Sequence, residues 1–496
     1  MKTFDLIIIG GGAGAFAAAI RANELGAKTA LVNSGLPLGG TCVNVGCVPS
    51  KTLLYAGEIL HHAKHHGVPG VLLSVKNFDF QKVVRDELLL VEKLREEKYE
   101  KVLKNLEHVT AIEGKAKFVS QNEVEVNPAP EQSSVRGTAA KIPQNKSALP
   151  RSERAKRVLL RGEKFIIAAG STAAVPPIEG IQEVGFVTHI EALKMPRQPK
   201  ELVVIGAGPL GLEFAQMFAR FGTKVTILQR GDSIFPHSEK ALTDSLAEIL
   251  SKEGITIKTN VEVKSARKEG DKKIVSYQIG EAQEEVHADE ILLAAGKTPN
   301  TQGLGLDIAG IEIDNRQAVV VNQNFQTSNK NIFAVGDVTN GPLRLEPTAG
   351  REGTLAAENA LKGATLSIDY NAVPYTIFTD PQLAGVGFTE DEQMKQMGVC
   401  ACRTVSFEDV PKAIIMRRTE GMIKMAIHPQ TKQILGVHIL APNAGELIAE
   451  AMMLIKNKNT IDDVVNSLPM FPTLSEAIKI VALSFTKDIS KLSCCI

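Results

Sequence analysis

Neither sign of charge is in excess in this chain: 56 Lys and Arg face 56 Asp and Glu in 496 residues. A protein working chiefly on nucleic acid or an anionic membrane surface needs a basic field, so that class is set aside. Long apolar runs are missing too, and no window reaches the length that spans a bilayer. The opening MKTFDLIIIGGG has an apolar run too short for the core of a secretory signal, and it leads straight into Gly10, Gly11 and Gly12. It reads as a buried first strand. Cysteine is scarce, six in all, which is no disulfide framework for so long a chain and fits a reducing cytoplasm. One core cannot serve this length, so three or four folding units are expected.

What is present is a strand, a glycine-rich turn and a helix, twice. Residues 6–9 are a short apolar run followed by GGGAGA and an alanine-rich helix to residue 25, with a second strand at 28–33. Gly10 and Gly12 let the backbone approach a pyrophosphate, Ala15 takes the third small position, and the helix N-terminus faces the anion. An acidic ribose reader normally ends the second strand; here it is Asn33, which still donates and accepts hydrogen bonds. Residues 202–211, LVVIGAGPLG, repeat the pattern, with Gly206, Gly208 and Gly211 completing G-x-G-x-x-G and a further strand at 224–228. Gln229 and Arg230 follow where a 2′-hydroxyl reader would carry a carboxylate. Arginine suits a 2′-phosphate, so NADPH is expected over NADH. Two such fingerprints imply two nucleotides placed for hydride transfer, and flavin with nicotinamide is the usual pairing.

Between them lies GGTCVNVGCVPSK, residues 39–51. Cys42 and Cys47 are separated by about one helical turn, so both sulfurs can share a face within disulfide reach. Thr41 is the expected N-cap of a helix whose dipole would lower a thiol pKa, and Pro49 bends or restarts that helix. A structural disulfide would have the same spacing. The segment resembles the redox-active stretch of the pyridine nucleotide-disulfide oxidoreductases, and the resemblance covers essentially the whole chain.

The resemblance implies an α/β fold: two Rossmann-like three-layer domains, for FAD and NADPH, plus a C-terminal α+β dimerisation domain. Residues 1–190 and 291–368 would bind FAD, 191–290 NADPH, and 369–496 would dimerise and carry the tail. It implies a redox disulfide between Cys42 and Cys47, with Cys47 the flavin-contacting thiolate and Cys42 the interchange thiol. Lys51 and Glu213 match a pair beside the flavin N5 and the nicotinamide. Gly10, Gly12, Gly14, Asn33, Gly40, Thr41, Gly170, Gly296 and Asp337 fall on flavin-domain positions, Asp337 ending the NIFAVGD motif that holds the ribityl chain; Lys297 stands where arginine is usual. From about residue 374 the pattern suits a mixed sheet with one face covered. A polar helix is expected over about 79–106. Residues 127–157, rich in Pro, Ser, Gln and Lys/Arg, read as an exposed, partly disordered insertion with no assigned function.

The chain departs from the family's disulfide reductases at MFPTLSE, where Phe471 replaces the proton-moving histidine and leaves Glu476 without that partner. Phenylalanine is no acid or base, so dithiol exchange should be poor. The chain ends LSCCI; Cys494 and Cys495 suit capture of a thiophilic cation and resemble the tail of the family's mercury-reducing branch. That branch implies a cytoplasmic homodimer in which the tail of one subunit passes Hg(II) to Cys42 and Cys47 of the other, for reduction to Hg(0). Two tyrosines of that branch are replaced by Phe186 and Thr473, and its frequent N-terminal metal-trafficking domain has no counterpart ahead of the flavin motif. Cys400 and Cys402 match nothing in the family; a metal-scavenging C-x-C is possible chemistry, and two small strand residues is the simpler reading. The alternatives are an NADPH-dependent dithiol or disulfide reductase, related to dihydrolipoamide dehydrogenase or large thioredoxin reductases, and a non-catalytic flavin redox or metal sensor.

Overall fold

The computed structural model describes residues 1–128 and 157–493. Most of the 127–157 insertion, and the tail cysteines 494 and 495, lie outside these. The chain forms two compact units: Met1–Ser50, Val84–Ala174 and Lys297–Ile368 in one, Lys51–Val83, Val175–Gly296 and Asp369–Ile496 in the other.

The first unit is built on the strand Lys2–Ile9, four residues longer at its start than the apolar run suggests. It pairs in parallel with Thr29–Asn33 on one side and Val158–Ile167 on the other, Ile9 lying opposite Val32 and Ile167. Leu6, Ile7 and Ile8 are fully buried, Leu6 and Ile8 against the helices Ala13–Glu24 and Glu346–Lys362 and Ile7 against Phe118 and Ile311 on the opposite face. The helix Ala13–Glu24 buries Ala15, Ala18, Ala19 and Ala22, and small residues let the helix Glu346–Lys362 approach closely: a Cβ on Gly353 would meet the Gly14 carbonyl oxygen at 2.0 Å. The NIFAVGD strand, Ile332–Ala334, adds to Val158–Ile167 in parallel. The polar helix of the expectation is interrupted: Phe80–Arg95 gives way to a π turn, Glu96–Glu100, before Lys101–Lys104. Within that turn Tyr99 meets Phe16 edge to face with centroids 5.0 Å apart.

In the second unit Glu201–Ile205, Pro209–Phe221 and Lys224–Leu228 repeat strand, turn and helix. Four parallel strands run in the order Thr256–Lys258, Lys224–Leu228, Glu201–Ile205, Glu290–Leu293. A three-stranded antiparallel sheet, Val261–Glu269, Lys272–Ile279 and Ala282–Ala288, accompanies them. The C-terminal sheet has the order Tyr375–Ile377, Gln382–Gly387, Ile434–Ala441, Met422–Ile427, Ala401–Ser406, and every pairing in it is antiparallel. This corrects the mixed sheet expected from the sequence; short connections such as that from Met422–Ile427 to Ile434–Ala441 allow only hairpins. The helices Ala444–Lys456 and Glu476–Leu483 close its core through Ile448 and Ile478, packed with Val437 and Ile439. No helix among the described residues is long and apolar enough to cross a membrane.

Candidate active site

The first glycine turn is shaped by backbone alone. Gly10 has φ +134°, and a Cβ there would lie 2.1 Å from the Ala168 carbonyl oxygen. Gly12 caps the helix Ala13–Glu24 with no side-chain hydrogen bond, so the first N–H groups remain for an anion. The amide of Gly39 donates to the Gly11 carbonyl at 2.8 Å, and Gly40, at φ +59°, lies so near that a Cβ would sit 2.6 Å from the Gly12 Cα. The cysteine segment is thereby laid directly on the nucleotide turn. Asn33 is used in this loop: its Nδ2 donates to the Leu36 carbonyl at 3.0 Å, and its Oδ1 lies over Gly11, 2.4 Å from where a Cβ would be. A Cβ on Gly14 would sit 3.0 Å from the Ala349 carbonyl oxygen of the helix Glu346–Lys362. At the same C-terminal end of the parallel strands, Asp337 stands in a 3-10 turn, Gly336–Val338, and accepts from Ser171 Oγ at 2.6 Å. Gly170, at φ +70°, and Gly296, at φ +115°, are open at Cβ. Burial lowers the Lys297 ammonium pKa, and the charge of Asp337 opposes that shift. An uncapped helix start, a cradle that a Cβ would fill and a carboxylate at the strand end fit FAD.

Cys42 lies in a short helix, Gly40–Val45, whose N-cap is Gly39 in the left-handed region. Thr41 is therefore inside the helix, exposed, and not its cap, which corrects the sequence expectation. At Gly46 the chain breaks, a Cβ there being 2.8 Å from the Thr41 carbonyl, and a new helix, Cys47–His65, begins. Pro49 falls in its first turn, where a missing N–H costs nothing. The positive dipole end of this longer helix thus falls at Cys47. Both are thiols, Cys42 half-buried and Cys47 exposed. The Cys42 pKa is raised, first by its hydrogen bond with Cys47, then by burial and by the negative charges of Cys47 and Glu346. The expectation of a lowered thiol pKa therefore fails for Cys42.

One turn along the same helix, Lys51 Nζ is 2.7 Å from Glu213 Oε2. Glu213 is buried on Pro209–Phe221, and its Oε1 accepts from the Phe378 amide at 2.9 Å. The Lys51 ammonium also lies 4.5 Å from the centroid of the Phe378 ring. Phe378, which anchors both members of the pair, carried no local signal in the sequence.

At the second glycine turn, Gly206 has φ +109° and a Cβ on it would lie 2.5 Å from the Ala294 carbonyl, while one on Gly211 would lie 2.0 Å from that of Gly206. Gly208 caps Pro209–Phe221 without a side chain, and the space at its Cβ is open, which leaves room for a pyrophosphate. Gln229 braces this loop: its Oε1 accepts from the Ala207 amide at 3.0 Å and its Nε2 donates to the Ser233 carbonyl at 3.1 Å. Arg230 beside it is exposed.

Near the C-terminus Phe471 is 45% exposed. Glu476 accepts from the Thr473 amide at 3.1 Å, and Thr473 Oγ1 donates to the Met470 carbonyl at 2.8 Å. Phe186 packs on the core of the second nucleotide fold. Cys400 and Cys402, expected to be two small residues of a strand, are joined by a disulfide at the start of Ala401–Ser406.

The family model described as pyridine nucleotide-disulphide oxidoreductase matches residues 4–353, and its dimerisation domain matches 373–482. The mercuric reductase of Lysinibacillus sphaericus is 36% identical over 99% of this chain and 84% of its own length. That of Streptomyces lividans is 36% identical over 99% and 98%, respectively. The mitochondrial dihydrolipoyl dehydrogenase of Pisum sativum is 35% identical over 97% of this chain and 91% of its own. Among solved structures, the HOCl-induced flavoprotein disulfide reductase RclA from Escherichia coli superposes with a TM-score of 0.81 at 27% identity, over 97% of this chain and all of that one.

Proposed function

Because the chain belongs to the pyridine nucleotide-disulphide oxidoreductase family, we propose that this flavin-dependent enzyme uses NADPH to reduce Hg(II) to Hg(0) at Cys42 and Cys47. FAD, when bound, relays two electrons from the nicotinamide toward the cysteine pair. The turn Gly10 to Gly12 holds its pyrophosphate and Asp337 its ribityl chain; Gly206, Gly208 and Gly211 hold that of NADPH, and Arg230 its 2′-phosphate. Lys51, fixed by Glu213 and Phe378, places a positive charge beside the reacting rings. The partner subunit's Cys494 and Cys495 capture Hg(II) and hand it over by thiolate exchange. Cys47, the more exposed sulfur, binds first and Cys42 second, each as the thiolate once its proton has left. Two electrons then leave neutral Hg(0), which thiolates hold poorly, and the balance is NADPH plus Hg(II) giving NADP⁺, H⁺ and Hg(0).

Phe471 carries the choice of substrate. A dithiol reductase, the reading favoured by the dihydrolipoyl dehydrogenase and RclA likenesses, needs an acid–base group there. Here that position is an exposed phenyl ring, and Glu476 is bound to its own turn. Steady-state NADPH oxidation with Hg(II) in excess thiol, set against lipoamide and glutathione disulfide, separates the two. Turnover with Hg(II) and at least about 10²-fold lower kcat/KM on the disulfides is expected; the reverse order overturns the reading.

A further inference from the structure

Cys402 lies on the edge strand Ala401–Ser406 of the C-terminal sheet and Cys400 just before it, after the helix Glu390–Met397. Their bond does little for the fold. It closes a loop of only three residues, which restricts the unfolded chain weakly, and the strand is already held by a ladder in which Ala401 faces Ile427 and Ser406 faces Met422. The surroundings suit another state of the sulfurs. Gln393 is completely buried, and its Nε2 donates to the Ile427 carbonyl at 2.9 Å, which fixes the amide so that Oε1 points at Cys400 Sγ, 3.6 Å away. A disulfide sulfur has no hydrogen to give, so in this form the buried oxygen faces a sulfur that cannot satisfy it; a thiol at Cys400 would. One turn earlier on the same helix, Glu390 brings a carboxylate oxygen within 4.8 Å of both sulfurs. The carboxylate is held in place by Lys424.

We propose that Cys400, Cys402 and Glu390 form a second sulfur site, separate from Cys42 and Cys47, that works as a dithiol and binds a thiophilic divalent cation. A dithiol reductant opens the bond, its own two sulfurs becoming a disulfide while Cys400 and Cys402 each take a proton. Binding of the cation releases those two protons and forms two metal–sulfur bonds, with Glu390 as the third, harder ligand. The site does not depend on Hg(II) being the enzyme's substrate.

The test uses the full-length, FAD-loaded protein with Cys42, Cys47, Cys494 and Cys495 replaced by serine, so that the remaining thiols are this pair. After reduction with dithiothreitol and its anaerobic removal, Cd(II) is titrated and the ultraviolet thiolate-to-metal band is followed. One Cd(II) per chain is expected, with none before reduction. Adding C400S and C402S abolishes the band, and E390Q weakens binding by about tenfold or more. Flavin content and circular dichroism show that each variant is folded. A folded, reduced protein that binds no Cd(II), or one whose binding survives C400S and C402S, overturns the proposal. Loss of Hg(II) turnover in the parent enzyme would leave this result unchanged, so the two readings fail separately.

Discussion

Lys51 and Glu213 stand 162 positions apart in sequence and meet at 2.7 Å. Their residue types and motif positions were legible because each lies a fixed number of residues beyond a glycine or cysteine signature. Phe378 was not, since an amide that holds a buried carboxylate leaves no trace in a hydrophobic strand. Removing the Lys51 charge should slow electron entry without loosening the flavin: K51M is expected to lower the rate of flavin reduction by NADPH about 10²-fold, read by stopped-flow absorbance, with flavin content unchanged. E213Q keeps the hydrogen-bonding shape and loses the charge, so its effect should be smaller. Equal rates for K51M and the unaltered enzyme would remove Lys51 from the mechanism. Gln229 shows the opposite limit of legibility: its type was plain, but its use, bracing Ala207 and Ser233, depends on a loop conformation that no spacing rule encodes.

The helix Cys47–His65 ends in an ionic cluster. His62 Nε2 is 3.0 Å from Asp380, which also pairs with Arg220 at 3.1 Å and with Arg418. Hydrogen bonds to Asp380 and then Glu58 raise the His62 pKa to about 9, whereas burial and then Arg220 lower that of His61 to about 4. The signs oppose. His62 binds its proton more tightly when folded, so its contribution is full below the ordinary value of 6.5 and is lost as pH climbs through about 9. His61 resists its proton when folded, so its contribution is full above 6.5 and is lost as pH falls toward about 4. Together they favour the folded state most near pH 6.5. Thermal melting across pH should show H62Q flattening the alkaline side of the profile and H61Q the acid side; parallel profiles for both variants would contradict the assignment. The sequence disclosed this helix and its Pro49, but placed its start wrongly: Thr41 is a good cap by type, and only the close approach of Gly39 and Gly40 to the nucleotide turn puts it inside a helix.

For the whole molecule, both nucleotide folds were readable because strand, glycine turn and helix are local and repeat. The direction of the C-terminal strands was not, because it is fixed by which strands pair. Nor was the sulfur bond at Cys400, whose spacing also suits two small residues on a strand. The strands Glu123–Asn127 and Val158–Ile167, which flank the insertion in sequence, are antiparallel neighbours, Val126 lying opposite Val158. A different long-range dependence concerns the dimer. If the tail of one subunit feeds the other, C494A with C495A should cut kcat/KM for Hg(II) by about tenfold or more, because capture at high local concentration is lost, while flavin reduction by NADPH keeps its rate. Unchanged Hg(II) kinetics would exclude the tail from delivery.

In the proposed reaction, electrons from NADPH end on a metal ion held by Cys42 and Cys47. Purified enzyme supplied with NADPH and Hg(II) in excess thiol, with elemental mercury swept from the solution and counted against NADPH oxidised, tests it directly. One Hg(0) for each NADPH, abolished by C42S or C47S, is predicted; NADPH oxidation without mercury vapour would contradict it.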